Sequence, residues 1–308
     1  MNSPRIAICV VTFNSAALIE DLTASLPEGA YGTTWTLVFA DNDSADDTLA
    51  QITRHAPDAV VVQTGSNLGY SGGVNAAIAA AGEQDAYLVL NADVRLTPGS
   101  LVSLLGALGD GAGIAVPRLI DADEQPHWSL RREPTLLRIW CDALIGAERA
   151  GRIGALGEVV ADPSAYESTH FVDWAEGSTQ LISAECLHAC GPWDESYFLY
   201  SEETEYDLRV RAHGFGVRYE PSAVAQHLKG ESAVSPQLWS LLTLNKAMLY
   251  ARRHGPVAST AFWLALVVRE ASRAALGKAT SRAALFDLLR PRRWREPRGP
   301  HWLAGVRV

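Results

Sequence analysis

No apolar run in this chain approaches the ~20 residues needed to cross a bilayer. The best stretch, Ala261 to Val268, is stopped by Arg269 and Glu270. The first residues, Met1-Asn-Ser-Pro-Arg5, lead straight into a strand pattern, so no signal peptide is expected. Cysteine is scarce and scattered: Cys9, Cys141, Cys186 and Cys190 in 308 residues. Nothing there demands disulfides, which makes a reducing cytoplasm the expected location. Cys186 and Cys190 flank His188, but no further ligands follow at zinc-site spacing. There are no internal repeats. The glycine-rich segment 67–75 has no Gly-Lys-Ser/Thr after it and is not a P-loop. Its glycine spacing also departs from the dinucleotide fingerprint, and it follows the third strand of the pattern.

What is present is unevenly charged. The net charge is -9. Residues 245–308 hold thirteen Lys or Arg against three acids, so this tail carries +10 and the rest of the chain -19. A strongly acidic body excludes nucleic acid as the main partner. A basic tail with Trp263, Trp294 and Trp302 suits peripheral contact with the anionic inner face of a membrane; it equally suits a helical cap with a solvated basic face.

From the N-terminus, apolar β-branched runs alternate with helical segments about every 25 residues. Ile6–Thr12 reads as a strand buried on both faces, and Trp35–Ala40, Ala59–Val62, Ala86–Leu90 and Ile114–Val116 as the strands that follow it. Helices are expected over Ala16–Leu26, ended by Pro27, and after Asp47, Asn75 and Pro98. This is the rhythm of a doubly wound, mainly parallel α/β sheet, in which ligands bind beyond the carboxyl ends of the strands. Polar clusters stand at those ends: Thr12-Phe-Asn14, Asp41-Asn-Asp43, Thr64 to Gly69, and Asn91-Ala-Asp93. Turn chemistry explains any one of them, but four in succession less well. Residues 131–166 read as a variable insertion or flexible loop. Alternation returns over Val172–Ser183, a strand is expected over Gly216–Pro221, and a long helix opens at Pro236.

The densest chemistry lies in Tyr197-Phe-Leu-Tyr-Ser-Glu-Glu-Thr-Glu205, which leads into a helix capped by Gly214. The helix macrodipole accounts for one or two acids at its start. It does not account for Glu202, Glu203 and Glu205 crowded behind an aromatic knot. Burial and like charge raise a carboxylate pKa, and such a group can take a proton from an alcohol. Asn91-x-Asp93 could bind a divalent cation bridging a diphosphate, or simply form a capping turn. Asp41 and Asp43 could accept from a pyrimidine or a ribose, or cap a helix. His227, in a polar loop after a strand, could be a metal ligand or structural.

Thr12-Phe-Asn14-Ser15, Asp41-Asn-Asp-Ser44, Asn67-Leu-Gly69, Asn91-Ala-Asp93, Phe198-x-Tyr200-x-Glu-Glu-x-Glu205 and His227 occur in one order at fitting distances. The set resembles the family-2 inverting glycosyltransferases of the GT-A fold over roughly Arg5 to His254. It is most similar to the rhamnosyltransferase-like branch, which includes mycobacterial-type cell-wall enzymes. The resemblance implies a GT-A catalytic domain at 1–235, with a nucleotide-binding half near 1–119 and an acceptor-binding half near 170–235. A basic helical extension follows at 236–308. It implies that Asp41 holds the base of a nucleoside-diphosphate sugar, with Thr12 and Asn67 beside it. Asn14, Asp43, Gly69 and Asn91 belong to the same donor site. Asp93 and His227 would hold a divalent metal, Mn or Mg. Glu203 would be the general base with Glu202 beside it, and Trp174, Glu176 and Gly177 would shape the acceptor side. The donor would be dTDP- or UDP-linked, with rhamnose the best single choice, and the acceptor a glycan, a lipid-linked glycan or a small molecule. Two departures stand out. The metal motif opens with Asn91 instead of Asp, and the usual Glu-Asp-x-Asp is Glu202-Glu-Thr-Glu205, one methylene longer at each Asp position. The rival readings are a sugar-phosphate nucleotidyltransferase, which would want a glycine-rich basic loop near the N-terminus, and a non-catalytic nucleotide-sugar binding module.

Overall fold

The computed structural model describes residues 4–228 and 235–303. Lys229 and Gly230, in the polar loop after His227, and Arg307 of the basic tail lie outside the described residues. The first strand, β1 (Arg5–Thr12), is buried on both faces and feeds two cores. Ile6, Ile8 and Val10 enter one; Ala7 and Cys9 enter the other. Then come α1 (Ile19–Gly29), β2 (Thr34–Asp41), α2 (Thr48–His55), β3 (Val60–Gln63), α3 (Gly69–Ala81) and β4 (Ala86–Asn91). These four strands are parallel in the order β3-β2-β1-β4.

Beyond β4 the sheet becomes mixed. The chain continues through β5 (Val94–Leu96), α4 (Ser100–Ala107), β6 (Ala112–Ile120), β7 (Leu130–Arg131), α5 (Leu136–Ile145) and α6 (Ala147–Arg152). After these follow β8 (His170–Val172), β9 (Trp174–Ala175), β10 (Thr179–Ser183), α7 (Ala184–Cys190), α8 (Glu202–Ala212) and β11 (Gly216–His227). β10 runs antiparallel between β4 and β6, and β11 lies parallel to β6. β5 closes that edge antiparallel to β11. The extension comprises α9 (Pro236–Arg253), α10 (Pro256–Ala275), α11 (Ala279–Leu288) and α12 (Pro291–Arg295).

Three expectations need correction. Pro27 does not end α1, which runs to Gly29. The proline sits in the last turn, where only one backbone bond is lost. Residues 131–166 are not a structureless insertion: they form β7, α5 and α6, and Ile139 is buried against the C-terminal helices. The strand expected to stop at Pro221 runs on to His227, its pairing with β6 shifted between Glu220 and Val224. The tail tryptophans pack within the helical extension. Trp302 is 2% exposed, and the indole N–H groups of Trp263 and Trp294 both donate to the carbonyl of Leu288.

The extension is joined to the body through a third core. Phe198, from the segment before α8, packs there with Leu241, Leu244, Tyr250, Phe262 and Leu266.

Candidate active site

Strand register brings the first pair of site residues together. β5 and β11 pair with Val94 opposite His227, and the N–H of Leu228 donates to the Asp93 carbonyl at 3.0 Å. Asp93 Oδ2 therefore lies 3.2 Å from His227 Nε2, although 134 positions separate them in the chain. Two residues not singled out together by the sequence complete the group. His127 Nε2 is 2.6 Å from Glu176 Oε2, and Arg131 binds the other oxygen of Glu176. Ligand atoms of His127, Glu176 and His227 all lie within 4.8 Å of one another. Burial would raise the Glu176 pKa, but the Arg131 guanidinium and His127 outweigh it and hold the carboxyl down at about 2. Two imidazoles and two carboxylates, one firmly ionised, form a donor set that suits a divalent cation. The Asn91 side-chain oxygen nearby is buried with no hydrogen-bond partner among the described residues. These residues fit a metal. His127 carried no signal in the sequence, because it sits in no motif and far from any other ligand.

The acidic helix presents the second pair. Before α8 the chain takes three left-handed non-glycine conformations, at Phe198 (φ 64), Tyr200 (φ 69) and Ser201 (φ 75). Such residues cost energy and persist only where the surroundings over-determine them. Here Asn245 of α9 does so. Its buried amide nitrogen reaches the carbonyls of Tyr197 (2.9 Å), Leu199 (2.9 Å) and Tyr200 (3.1 Å). Its oxygen accepts from Arg298 Nε at 2.9 Å. A further contact limits the same segment: Tyr70 N donates to the Phe198 carbonyl at 2.7 Å, at the start of α3. Gly69 has φ +78, and an added Cβ would lie 2.1 Å from that carbonyl oxygen. Glycine is therefore required at this position.

So held, Glu202 and Glu203 stand in the first turn of α8. Glu202 is 3% exposed, and its Oε2 has no hydrogen-bond partner among the described residues. Burial, then the charge of Glu203, push its pKa well above the carboxylate range. Glu203 is less enclosed, and burial raises its pKa to about 7, with the charge of Glu176 adding to the effect. Its stem lies against Gly177, where a Cβ would come within 2.9 Å of Glu203 Cβ. Glu205 turns away and pairs with Arg209 at 2.9 Å. Asp207, one turn on, is fully buried and accepts from Ala175 N and Gln180 Nε2, which fixes β9 beside α8.

Glu202, Glu203, Trp174, Glu176, Gly177, Asn91 and His227 line one cavity of about 820 Å³, and Asp93 is tied to it through His227. Tyr70, whose hydroxyl donates to the Gly177 carbonyl at 2.9 Å, lines it too. Its phenol pKa is raised by burial and then by the charges of Glu202, Glu203 and Asp93, so the two acidic pairs share one neighbourhood. The remaining candidates lie outside this lining, at the ends of β1 and β2 and in the loop before α3. Asp41 is buried, accepting from Thr12 Oγ1 at 2.9 Å and Ser44 Oγ at 2.6 Å. Asn14 accepts from Ala45 N, and Asn67 accepts from Gly69 N. Asn14 (φ 51) and Asp43 (φ 66) are left-handed turn residues.

Comparison with known proteins decides the family. The model described as glycosyl transferase family 2 matches residues 7–152. An N-acetylglucosaminyl-diphospho-decaprenol L-rhamnosyltransferase of Mycobacterium tuberculosis is 30% identical over 239 residues, 73% of this chain and 76% of that one. The chain belongs to glycosyltransferase family 2. This glycosyltransferase is also 27% identical to the low-salt glycan biosynthesis hexosyltransferase Agl10 of Haloferax volcanii, over 69% of its own length and 63% of that chain. Among solved structures, a mannosyltransferase of Pyrobaculum calidifontis in complex with GDP-Man and Mn2+ superposes with a TM-score of 0.56 at 16% identity, over 93% of this chain and 79% of that one. The fold is therefore GT-A, with the helical extension packed onto it.

Proposed function

We propose that the protein transfers a sugar from a nucleoside diphosphate to an acceptor hydroxyl with inversion, in a single displacement. The observation that carries this is Glu203: a carboxylate with a pKa near 7, on a cavity wall, beside a cation-competent group. Such a group is poised between proton acceptor and donor at neutral pH. The acceptor oxygen attacks the anomeric carbon as the bond from that carbon to the diphosphate oxygen breaks. The bonding pair leaves with the diphosphate, and the hydroxyl proton passes to Glu203. Glu202, more deeply buried, stays protonated and does not compete for that role.

Asp93 and His227, with Glu176 and His127 within reach, would hold a divalent metal, Mn or Mg. When bound, such an ion neutralises charge on the departing diphosphate. Arg131 keeps Glu176 ionised for this purpose. Thr12, Asn14, Asp41, Asp43, Asn67 and Gly69 form the nucleoside end of the donor site, with Asp41 set in place by Thr12 and Ser44. Trp174 and Gly177 bound the acceptor side. By likeness to the mycobacterial relative, the donor is dTDP-rhamnose or a close UDP-linked hexose and the acceptor is lipid-linked. Incubation with dTDP-rhamnose, a short-chain diphospho-lipid glycan and Mn should release dTDP. Release without product, or no release from any nucleotide sugar, would defeat the proposal.

A further inference from the structure

The cavity lining extends from Glu203 to Arg273, Lys278, Thr280 and Ser281, contributed by α10, α11 and the turn between them. α5 and α10 finish together there, since Arg273 donates to Asp142 Oδ1 at 2.7 Å. Just past that pair, both helices end in uncovered apolar side chains. Leu144 is 72% exposed, Ile145 42% and Leu276 82%. Leu264 and Val268, one turn apart on α10, Phe286 on α11 and Leu289 just past its end are exposed as well.

Among the described residues the charge beside them is mainly positive, and the exposed Glu148 past Ile145 is paired with Arg152. Lys278, Arg282, Arg290, Arg292 and Arg295 are exposed. The acids of the same segment are withdrawn: Glu270 and Asp287 are buried, and Glu296 is bound by Arg293 at 2.6 Å. Exposed leucines among cations, next in the chain to residues that line the cavity, match an anionic lipid surface in both apolar depth and charge.

We propose that the α5–α10–α11 end of the molecule docks on an anionic bilayer. Leu144, Ile145 and Leu276 enter the headgroup layer, and Lys278 and Arg282 meet lipid phosphates. This rests on the reading of the cavity as an acceptor site, to which docking would deliver a lipid-borne acceptor without extraction from the bilayer.

Sedimentation of the full chain with phosphatidylglycerol-containing or pure phosphatidylcholine vesicles tests it. The wild type should pellet with the anionic vesicles only, and less so as salt rises. Leu144→Asp with Leu276→Asp should cut partition at least about tenfold, and Arg282→Ala about fivefold. Melting temperature and transfer to a water-soluble acceptor should not change, because these side chains lie outside the cavity lining. The proposal is overturned if the wild type ignores anionic vesicles, if the variants partition like the wild type, or if they lose transfer to the soluble acceptor. A wild type that binds anionic vesicles yet transfers to no acceptor supports the docking and refutes the functional reading instead.

Discussion

Replacing Glu203 by Gln tests the chemistry and the electrostatics together. The amide keeps the shape of the side chain but cannot take a proton, so turnover should fall by about 10²–10⁴-fold, the usual contribution of a general base. Nucleotide binding, measured by calorimetry, should stay near wild type. The wild-type rate should climb with pH and level off above about 7, where Glu203 is ionised; residual activity of the variant should lack that limb. Stability must move in the opposite sense. The unfolded chain releases this proton near 4.5 and the folded chain near 7, so between those values the folded state binds the extra proton. Its contribution is fully present below 4.5 and is lost as pH rises to about 7. At most about 3 kcal/mol is involved, and less where the cavity admits water. Glu203→Gln should therefore match the wild type in acid and exceed it in denaturant midpoint at pH 8. A variant with wild-type turnover, or one that is relatively less stable at pH 8 than at pH 5, would refute the reasoning.

Asp93→Asn and His227→Ala should each weaken Mn-dependent nucleotide binding by at least about tenfold, while leaving any metal-free binding unchanged in the same titration. His127→Ala should lower Mn affinity too, although no motif marks it; unchanged affinity would show that only Asp93 and His227 matter. Asn245→Leu strips the donor from three carbonyls, so it should cost about 1–3 kcal/mol in urea melts and lower kcat more than the donor KM. Gly69→Ala pushes a methyl against the Phe198 carbonyl at a positive φ, so it should destabilise by more than about 1 kcal/mol; a neutral effect would mean that the segment before α8 is free to shift.

The parallel half of the sheet was legible because its strands read as unbroken apolar runs, with β1 and β4 buried almost throughout and only the edge strand β3 exposed. Its strand ends were legible because Asp41 and Asp93 interrupt those runs. The acidic helix was legible from its charge density alone. What escaped depends on contacts between distant segments. α5 exposes Leu137, Leu144 and Ile145, which blurs its helical period, and its packing partner α10 lies more than a hundred residues on. β5 and β9 are too short to show alternation, yet β5 sets Asp93 beside His227. The tail tryptophans left two readings open because an indole signals an interface and a core equally well; in the structure Trp263 and Trp294 both donate to the Leu288 carbonyl.

The extension also changes what counts as the catalytic unit. Three left-handed residues in four, at roughly 1–2 kcal/mol each, would relax if nothing opposed them, and the first turn of α8 would swing with them. The opposing interactions come from α9 and from Arg298, beyond α12, which both holds the Asn245 oxygen and donates to the carbonyls of Arg293 and Glu296. Removal of residues 291–308 should therefore leave the parallel sheet and its nucleoside end folded while releasing Glu203 from position. Nucleotide affinity would then survive truncation and turnover would not. If turnover survived as well, Asn245, Tyr70 and Gly69 would be sufficient to fix the segment before α8, and the support from Arg298 would be redundant.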